Sequence, residues 1–468
     1  MTWSAPQVLG SGWWQSIVVD RHGVAHVGWY SAVNTSDNQA EDSWDALTYA
    51  ARSLDGQWSQ ANDVMVTGQG GYTVRNALAA TSDGMIHAVF RSGPLHRFAS
   101  AYSTVASNAA SWSTPIQISS TGYYVDMVAD SHDVLHIVFS GREADFSAQS
   151  VSLEGSPCPL CFDLYYRRSI DGGRTWTTPF NLTRDPTSGS DKPDIWVGMS
   201  SGRLYVDWDE GTDWYIARGQ PRDVRLIYSE DGGSHWSTPI IFDGGGFPDR
   251  RPIQIAATEM RDGTLMVVWR YSTDADRQIY FQHSDDGGET WTDPAAIPGV
   301  VARASADLAL DDYELITDQL GIVHLFVAGQ PDILSTANPT LYHLEYQQNR
   351  WRSRQPIFYS PNDRPEWPKA AIGPQNDIHL TWFVRRLSEG ITSFTTSTEG
   401  LTVYYSHREG TLLNQPTQAF NPTRTPQPTP TVIQEFEPTG TPLPTVQPIS
   451  NPVAETTQDT YAAQAFVG

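Results

Sequence analysis

Apolar and polar residues alternate along most of the chain in short runs that break at Gly, Pro, Asn or Asp. Leu164-Tyr165-Tyr166 and Gln278-Ile279-Tyr280-Phe281 show the pattern. A period of two, cut by turn residues, predicts strands and hairpins.

Self-similarity organises these strands. Ser169-Ile170-Asp171-Gly172-Gly173-Arg174-Thr175-Trp176, Ser229-Glu230-Asp231-Gly232-Gly233-Ser234-His235-Trp236 and Ser284-Asp285-Asp286-Gly287-Gly288-Glu289-Thr290-Trp291 share the pattern Ser-x-Asp-Gly-Gly-x-x-Trp. A hairpin is expected, with Gly at the positive-φ positions. The Asp accepts from turn amides, and the Trp ring covers the turn. The Trp recurs at Trp3, Trp58, Trp112, Trp176, Trp236, Trp291 and Trp351. A second signature, x-x-His-x-x-[Trp/Phe] after a turn, recurs with variations at residues 26–29, 87–90, 136–139, 205–208, 266–269, 324–327 and 379–382. The two signatures alternate, seven of each. Such a period marks a radial repeat. The expected fold is all-β, a seven-bladed β-propeller with these hairpins. Trp3-Ser4-Ala5-Pro6 opens the chain as an outer-strand motif, whereas the unit holding Tyr404-Tyr405 lacks one. The N-terminal strand is therefore expected to close the last blade, which removes open sheet edges.

The Ser-x-Asp-Gly-Gly-x-x-Trp motif resembles the Asp box of the sialidase and BNR-repeat superfamily. The resemblance implies the propeller fold, and it implies that the box lies at blade edges, away from catalysis. Asp171, Trp176, Asp231, Trp236, Asp286 and Trp291 are accordingly read as structural. Family sialidases have six blades, and the count of seven departs from them.

Composition changes after Leu413. Residues 416–452 are rich in Thr and Pro, a composition that cannot bury a core and favours extended polyproline geometry. Two domains are expected: a propeller over 1–414, and a disordered Thr/Pro-rich stalk over 415–468 that offers surface attachment. The chain starts inside a repeat element, as a mature or trimmed form would. No run approaches the ~20 apolar residues of a membrane span.

The net charge is −23. Such a surface repels nucleic acid and anionic membranes. Cys158 and Cys161 leave three readings: a tight loop disulfide, which fits an exported, extracellular or cell-surface protein; a redox pair, which wants a βαβ context; and half a zinc site, which wants two more ligands. His26, His87, His136, His324 and His379 sit at equivalent positions of different blades, so they cannot converge on one ion and are read as packing residues. No metal and no cofactor are expected, and a monomer is.

The loops entering each inner strand and those joining the second and third strands share one face around the axis, the default binding site. That face gathers Trp13-Trp14, Arg75, Tyr123-Tyr124, Lys192, Asp249-Arg250-Arg251, Arg303, Arg364, Arg91, Arg97, Arg142, Trp214-Tyr215, Arg270-Tyr271 and Arg385-Arg386. Arginine there suggests an anion pocket and aromatics suggest sugar stacking. Arg75, Arg251, Arg303, Arg364, Trp214 and Tyr215 are the substrate-binding candidates. Sialidases grip the sugar carboxylate with three arginines and use an Asp acid and a Tyr nucleophile. By that resemblance Asp249 is the candidate acid, and Tyr271 and Tyr313 are candidate nucleophiles. Residues 72–78, Tyr-Thr-Val-Arg-Asn-Ala-Leu, lack the Ile-Pro of the family's first-arginine motif. The leading reading is a sialidase-like propeller that recognises glycans. The alternatives are an active exo-α-sialidase, an endo-glucanase drawing on Asp209, Glu210, Asp213 and Asp249, and a protein-binding scaffold.

Overall fold

The structure, a computed structural model, describes residues 2–34, 43–67, 74–103, 111–120, 122–142, 161–184, 188–213, 218–247, 249–304, 312–387 and 400–410. Trp214, Tyr215, Cys158 and the stalk lie outside them. Cys161 is disulfide-bonded. Among the described residues there is no α-helix.

β1 (Gln7–Ser11) opens the chain. β2 (Trp13–Val19), β3 (Ala25–Asn34), β4 (Ser43–Arg52) and β5 (Asn62–Thr67) form an antiparallel meander. The next is β6 (Asn76–Ala80), β7 (Met85–Ser92), β8 (Leu95–Tyr102) and β9 (Ile116–Gln117). It is followed by β10 (Val125–Ala129), β11 (Leu135–Arg142), β12 (Phe162–Ser169) and β13 (Phe180–Asn181). A fourth meander contains β14 (Ser190–Val197), β15 (Leu204–Asp213), β16 (Arg218–Ser229) and β17 (Ile240–Phe242). Then come β18 (Pro252–Glu259), β19 (Leu265–Tyr271), β20 (Gln278–Ser284) and β21 (Ala295–Ala302). β22 (Tyr313–Thr317), β23 (Val323–Gln330), β24 (Thr340–Gln347), β25 (Arg350–Trp351) and β26 (Gln355–Phe358) follow. β27 (Asp363–Ile372), β28 (Ile378–Arg386) and β29 (Leu401–Arg408) end the described fold.

The arrangement is a β-propeller, but the pairing yields five separate four-stranded sheets rather than seven. β18 to β26 form one nine-stranded sheet, because Val301 and Ala302 of β21 pair with Gln330 and Gly329 of β23. The cause is local: a Cβ on Gly329 would lie 2.3 Å from the Val301 carbonyl oxygen, so only glycine lets the two backbones meet.

The closing strand is where the sequence placed it. β1 pairs with β29, and the sheet order is β1-β29-β28-β27. Ser4 N donates to the His407 carbonyl at 2.8 Å. The same bond joins Ser59 to Ala51, Ser113 to Ser100, Thr177 to Arg168, Ser237 to Tyr228, Thr292 to His283 and Arg352 to Glu345. The outer Trp packs each time on an aromatic of the preceding unit, as in Trp58 on Tyr405 (4.9 Å between centroids), Trp112 on Tyr49 (5.3 Å), Trp176 on Phe98 (5.1 Å) and Trp3 on Phe326 (5.6 Å). Edge-on geometry dominates these pairs, as the ring quadrupoles favour.

Inside a box, Ser169 Oγ donates to Asp171 Oδ1 at 2.8 Å, and Thr175 N donates to the same oxygen at 2.9 Å. Trp176 Nε1 donates to the Gly173 carbonyl at 3.0 Å. The box at Ser284 repeats this, with Thr290 N to Asp286 Oδ1 at 2.9 Å and Trp291 Nε1 to Gly288 at 3.1 Å. The repeated histidines bridge turn and third strand. His26 meets the Tyr49 hydroxyl at 2.6 Å and Asp20 at 3.4 Å, and His136 meets Tyr166 at 2.7 Å and Asp130 at 3.3 Å. That is the packing role.

Candidate functional site

The inner strands β2, β6, β10, β14, β18, β22 and β27 surround one axial cavity of about 460 Å³. Four of them bulge near their first residues: the register breaks between Trp13 and Ser16, Asp191 and Asp194, Ile253 and Ala256, and Glu366 and Lys369. At these bulges Trp14, Lys192, Gln254 and Trp367 have φ of 50°, 52°, 58° and 53°. A bulky residue held there is strained and persists only because its surroundings hold it. Bulges of this kind re-aim side chains. Here they bring Trp14, Lys192 and Trp367 into the cavity wall.

Trp14, Trp367, Tyr124 and Arg75 form a plug at this end, all of them buried. Trp14 meets Trp367 at 4.6 Å and Tyr124 at 6.1 Å between centroids. The Arg75 guanidinium lies 4.0 Å from the Trp14 ring, 3.4 Å from Tyr123 and 4.3 Å from Tyr124, and Arg75 Nη2 donates to the Tyr123 hydroxyl at 2.5 Å. An aromatic cage holds this cation. Burial pushes the Tyr124 phenol well above its ordinary range.

A second cluster gathers at the same end of the inner strands. Arg270 Nη1 and Arg303 Nε each lie 2.5 Å from Asp312. Arg303 also reaches Glu366 at 3.7 Å, where Arg364 arrives at 2.7 Å and Arg385 at 2.8 Å. Four guanidiniums thus gather around these two carboxylates, all but Arg364 almost fully buried, and Arg270 also lies 3.9 Å from the exposed Asp274. Paired, hydrogen-bonded charge is what burial tolerates.

The structure therefore brings Arg303 and Arg364 together but gives Arg75 a different, aromatic setting. Arg251 is half-buried, its carbonyl accepting from Ser272 N at 2.8 Å. Asp249 is exposed in a turn. The Tyr271 hydroxyl donates to the Gly244 carbonyl at 2.6 Å, and the Tyr313 hydroxyl donates to that of Gln254. Burial raises the pKa of Tyr271. Asp209 and Glu210 are both buried. Asp209 pairs with Lys192 at 2.9 Å, and Glu210 accepts from Ser190 and Trp208 at 2.8 Å each. Internal bonding occupies both, where a glucanase needs its carboxylates facing a cleft.

Sequence reasoning missed a third group, deeper in the cavity: Asp126, Asp194, Asp207, Glu314 and Lys369. Lys369 Nζ sits 3.3 Å from Asp194 and 3.1 Å from Glu314. Asp126 Oδ2 accepts from Ile195 N at 2.8 Å, and Asp207 Oδ2 accepts from Trp196 Nε1 at 2.9 Å. Burial, then the neighbouring Asp194, raises Asp126 to about 7; burial likewise raises Glu314 to about 7 against the pull of Lys369. The available signal was a single charge inside an apolar inner strand, as in Val125-Asp126-Met127.

Comparison with known proteins agrees with this architecture. The BNR repeat-like domain matches residues 149–316. A sialidase of Clostridium perfringens is 28% identical over 131 residues, which cover 26% of this chain and 32% of that protein. A sialidase of Bacteroides fragilis is 25% identical over 151 residues, 30% of this chain and 25% of that one. The chain thus spans about a third or less of these relatives. A crystal structure of a protein of unknown function from Dyadobacter fermentans covers 88% of this chain and 99% of its own, at a TM-score of 0.50 and 12% identity, and shares the fold. With its Asp boxes, its propeller and these partial relatives, the chain is similar to the sialidase-like superfamily of BNR, Asp-box repeat propellers.

Proposed function

We propose that this protein is an exported propeller that recognises glycans, anionic ones above all, on the face where the inner strands begin. The observation that carries the reading is the gathering of four guanidiniums, those of Arg270, Arg303, Arg364 and Arg385, around Asp312 and Glu366 in a chain of net charge −23. A basic cluster in an acidic protein focuses anions locally. Arg364 is its most accessible member, with 18% of its side chain exposed. Arg75, Arg251 and the aromatics of the plug flank the same face.

The nine-stranded sheet acts as two blades, which makes seven. The seven equivalent bonds from Ser4, Ser59, Ser113, Thr177, Ser237, Thr292 and Arg352 support this count. The Thr/Pro-rich segment serves as a stalk and places the ring outside the cell.

Recognition stands ahead of turnover, because the hydroxyls of Tyr271 and Tyr313 are both engaged by carbonyls and Asp249 sits in an exposed turn. The test is a sialylated and sulfated glycan array with an Arg364→Ala variant, run beside release of 4-methylumbelliferone from its sialoside. Binding by the wild type that falls roughly tenfold in the variant is expected, as for loss of one charge-assisted pair. Turnover of the sialoside would reverse the order of binding and hydrolysis, and the absence of any glycan binding would leave a protein scaffold.

A further inference from the structure

The axial cavity has two unlike ends. The aromatic plug closes one. At the other, Met199 lines the cavity and is 41% exposed, in the turn between β14 and β15. Arg203 of that turn pairs with Glu230 of an Asp box, so this mouth lies on the Asp-box end, opposite the arginine cluster.

Between the ends, four carboxylates share one ammonium. Asp126 comes from β10, Asp194 from β14, Asp207 from β15, Glu314 from β22 and Lys369 from β27. Lys369 is held by Asp194 and Glu314, 3.3 and 3.1 Å away. Asp207 is 1% exposed, lines the cavity, and its Oδ1 has no hydrogen-bond partner. A buried carboxylate oxygen without a donor is costly. It marks a place where a donor belongs.

We propose that this cavity is a second binding site, for a ligand carrying a primary ammonium group, entered from the Asp-box end and independent of the glycan face. Three observations fix the ligand class. The carboxylates already seat one primary ammonium, that of Lys369. They do not converge as metal ligands do: among the described residues, the only trio of ligand atoms within 4.8 Å of one another is His324, His343 and Glu345. The volume of about 460 Å³ admits a small organic molecule.

Titration supports the same reading. Asp126 and Glu314, raised to about 7, and Asp207, also raised by burial, gain charge as pH rises. The remaining ionisable groups on the cavity wall are Glu259 of β18, bound to Ser200 N and Ser201 N at 2.8 and 2.9 Å, and Arg75, Tyr124 and Lys192 at the plugged end. β2 brings none.

The experiment is calorimetric titration of the whole protein with 1,4-diaminobutane at about pH 8 and about pH 6, where the carboxyls differ in charge and the amine does not. Calcium chloride is titrated in parallel. Asp207→Asn keeps an acceptor for Trp196. The expected result is binding at the higher pH that weakens roughly tenfold at the lower pH and at least as much in Asp207→Asn. No heat at the higher pH overturns the proposal, as does equal binding by Asp207→Asn or tighter binding of calcium than of the diamine. Met199→Trp leaves the carboxylates untouched and narrows the mouth. It should slow diamine association, and an unchanged rate would remove the entry route even if Asp207→Asn failed to fold.

Discussion

At the scale of single residues, the Asp-box carboxylates are acceptors for several donors at once. The Thr175 hydroxyl, then the Thr175 amide, holds Asp171 down to about 2, and Thr290 does the same for Asp286. The folded pKa is lower than the unfolded one, so the stabilisation is complete above about pH 4 and is lost as pH falls towards 2. Replacing Asp171 and Asp286 by Asn should lower the melting temperature at neutral pH and flatten its fall in acid; an unchanged acid limb in thermal melts would contradict the assignment. The glycines of the box are equally constrained. A Cβ at Gly233, where φ is 83°, would lie 1.9 Å from the Tyr166 hydroxyl. Glycine there meets both a dihedral demand and a packing demand.

Among the elements, β1 carries most of the burden of closure. Its bonds to β29, and the packing of Trp3 against Phe326 and His343, hold together the two ends of the described fold. Trp3→Ala should cost about 2 kcal/mol, less than a fully buried Trp because the ring is half-buried. A urea titration in which its midpoint equals that of the wild type would show that the ring closes without this contact. The closing strand was readable in the sequence, because Trp3-Ser4-Ala5-Pro6 repeats the motif at Trp176-Thr177-Thr178-Pro179 and each repeat is built from bonds within a few residues. The merging of β21 with β23 was not readable. It depends on how closely the Val301 carbonyl approaches Gly329, and a lone glycine gives no sign of that. The arginine cluster was readable in part. Arg303 and Arg364 were visible as loop cations, but Asp312 and Glu366, which draw them together, looked like ordinary acidic positions. Asp126, Asp194, Asp207, Glu314 and Lys369 come from distant parts of the chain and meet only once the ring is closed.

For the molecule as a whole, two sets of carboxylates respond to acid in opposite directions. The box and turn aspartates are held down and favour the folded state as pH rises. Asp126 and Glu314 are held up to about 7, so between about pH 4 and 7 the native protein keeps protons that the unfolded chain has released. Their contribution to stability therefore falls as pH rises through that window. Glu314→Gln, neutral throughout, should flatten this part of the profile while leaving the acid limb to the boxes. Denaturant midpoints measured across the range would decide it, and a variant profile parallel to wild type would dismiss the cavity as the source.

The hydrogen bond from Ser4 N to His407 stands where Thr177 N to Arg168 stands in an Asp-box unit. In that unit the seven residues from Ser169 to Thr175 carry the polypeptide from Arg168 to Trp176, the residue before Thr177. The same heptapeptide spliced between His407 and Trp3 would turn the seam into a continuous hairpin. The protein could then be cut open at a turn elsewhere on its circumference, and the order in which a ribosome makes its parts would become a matter of choice rather than of architecture.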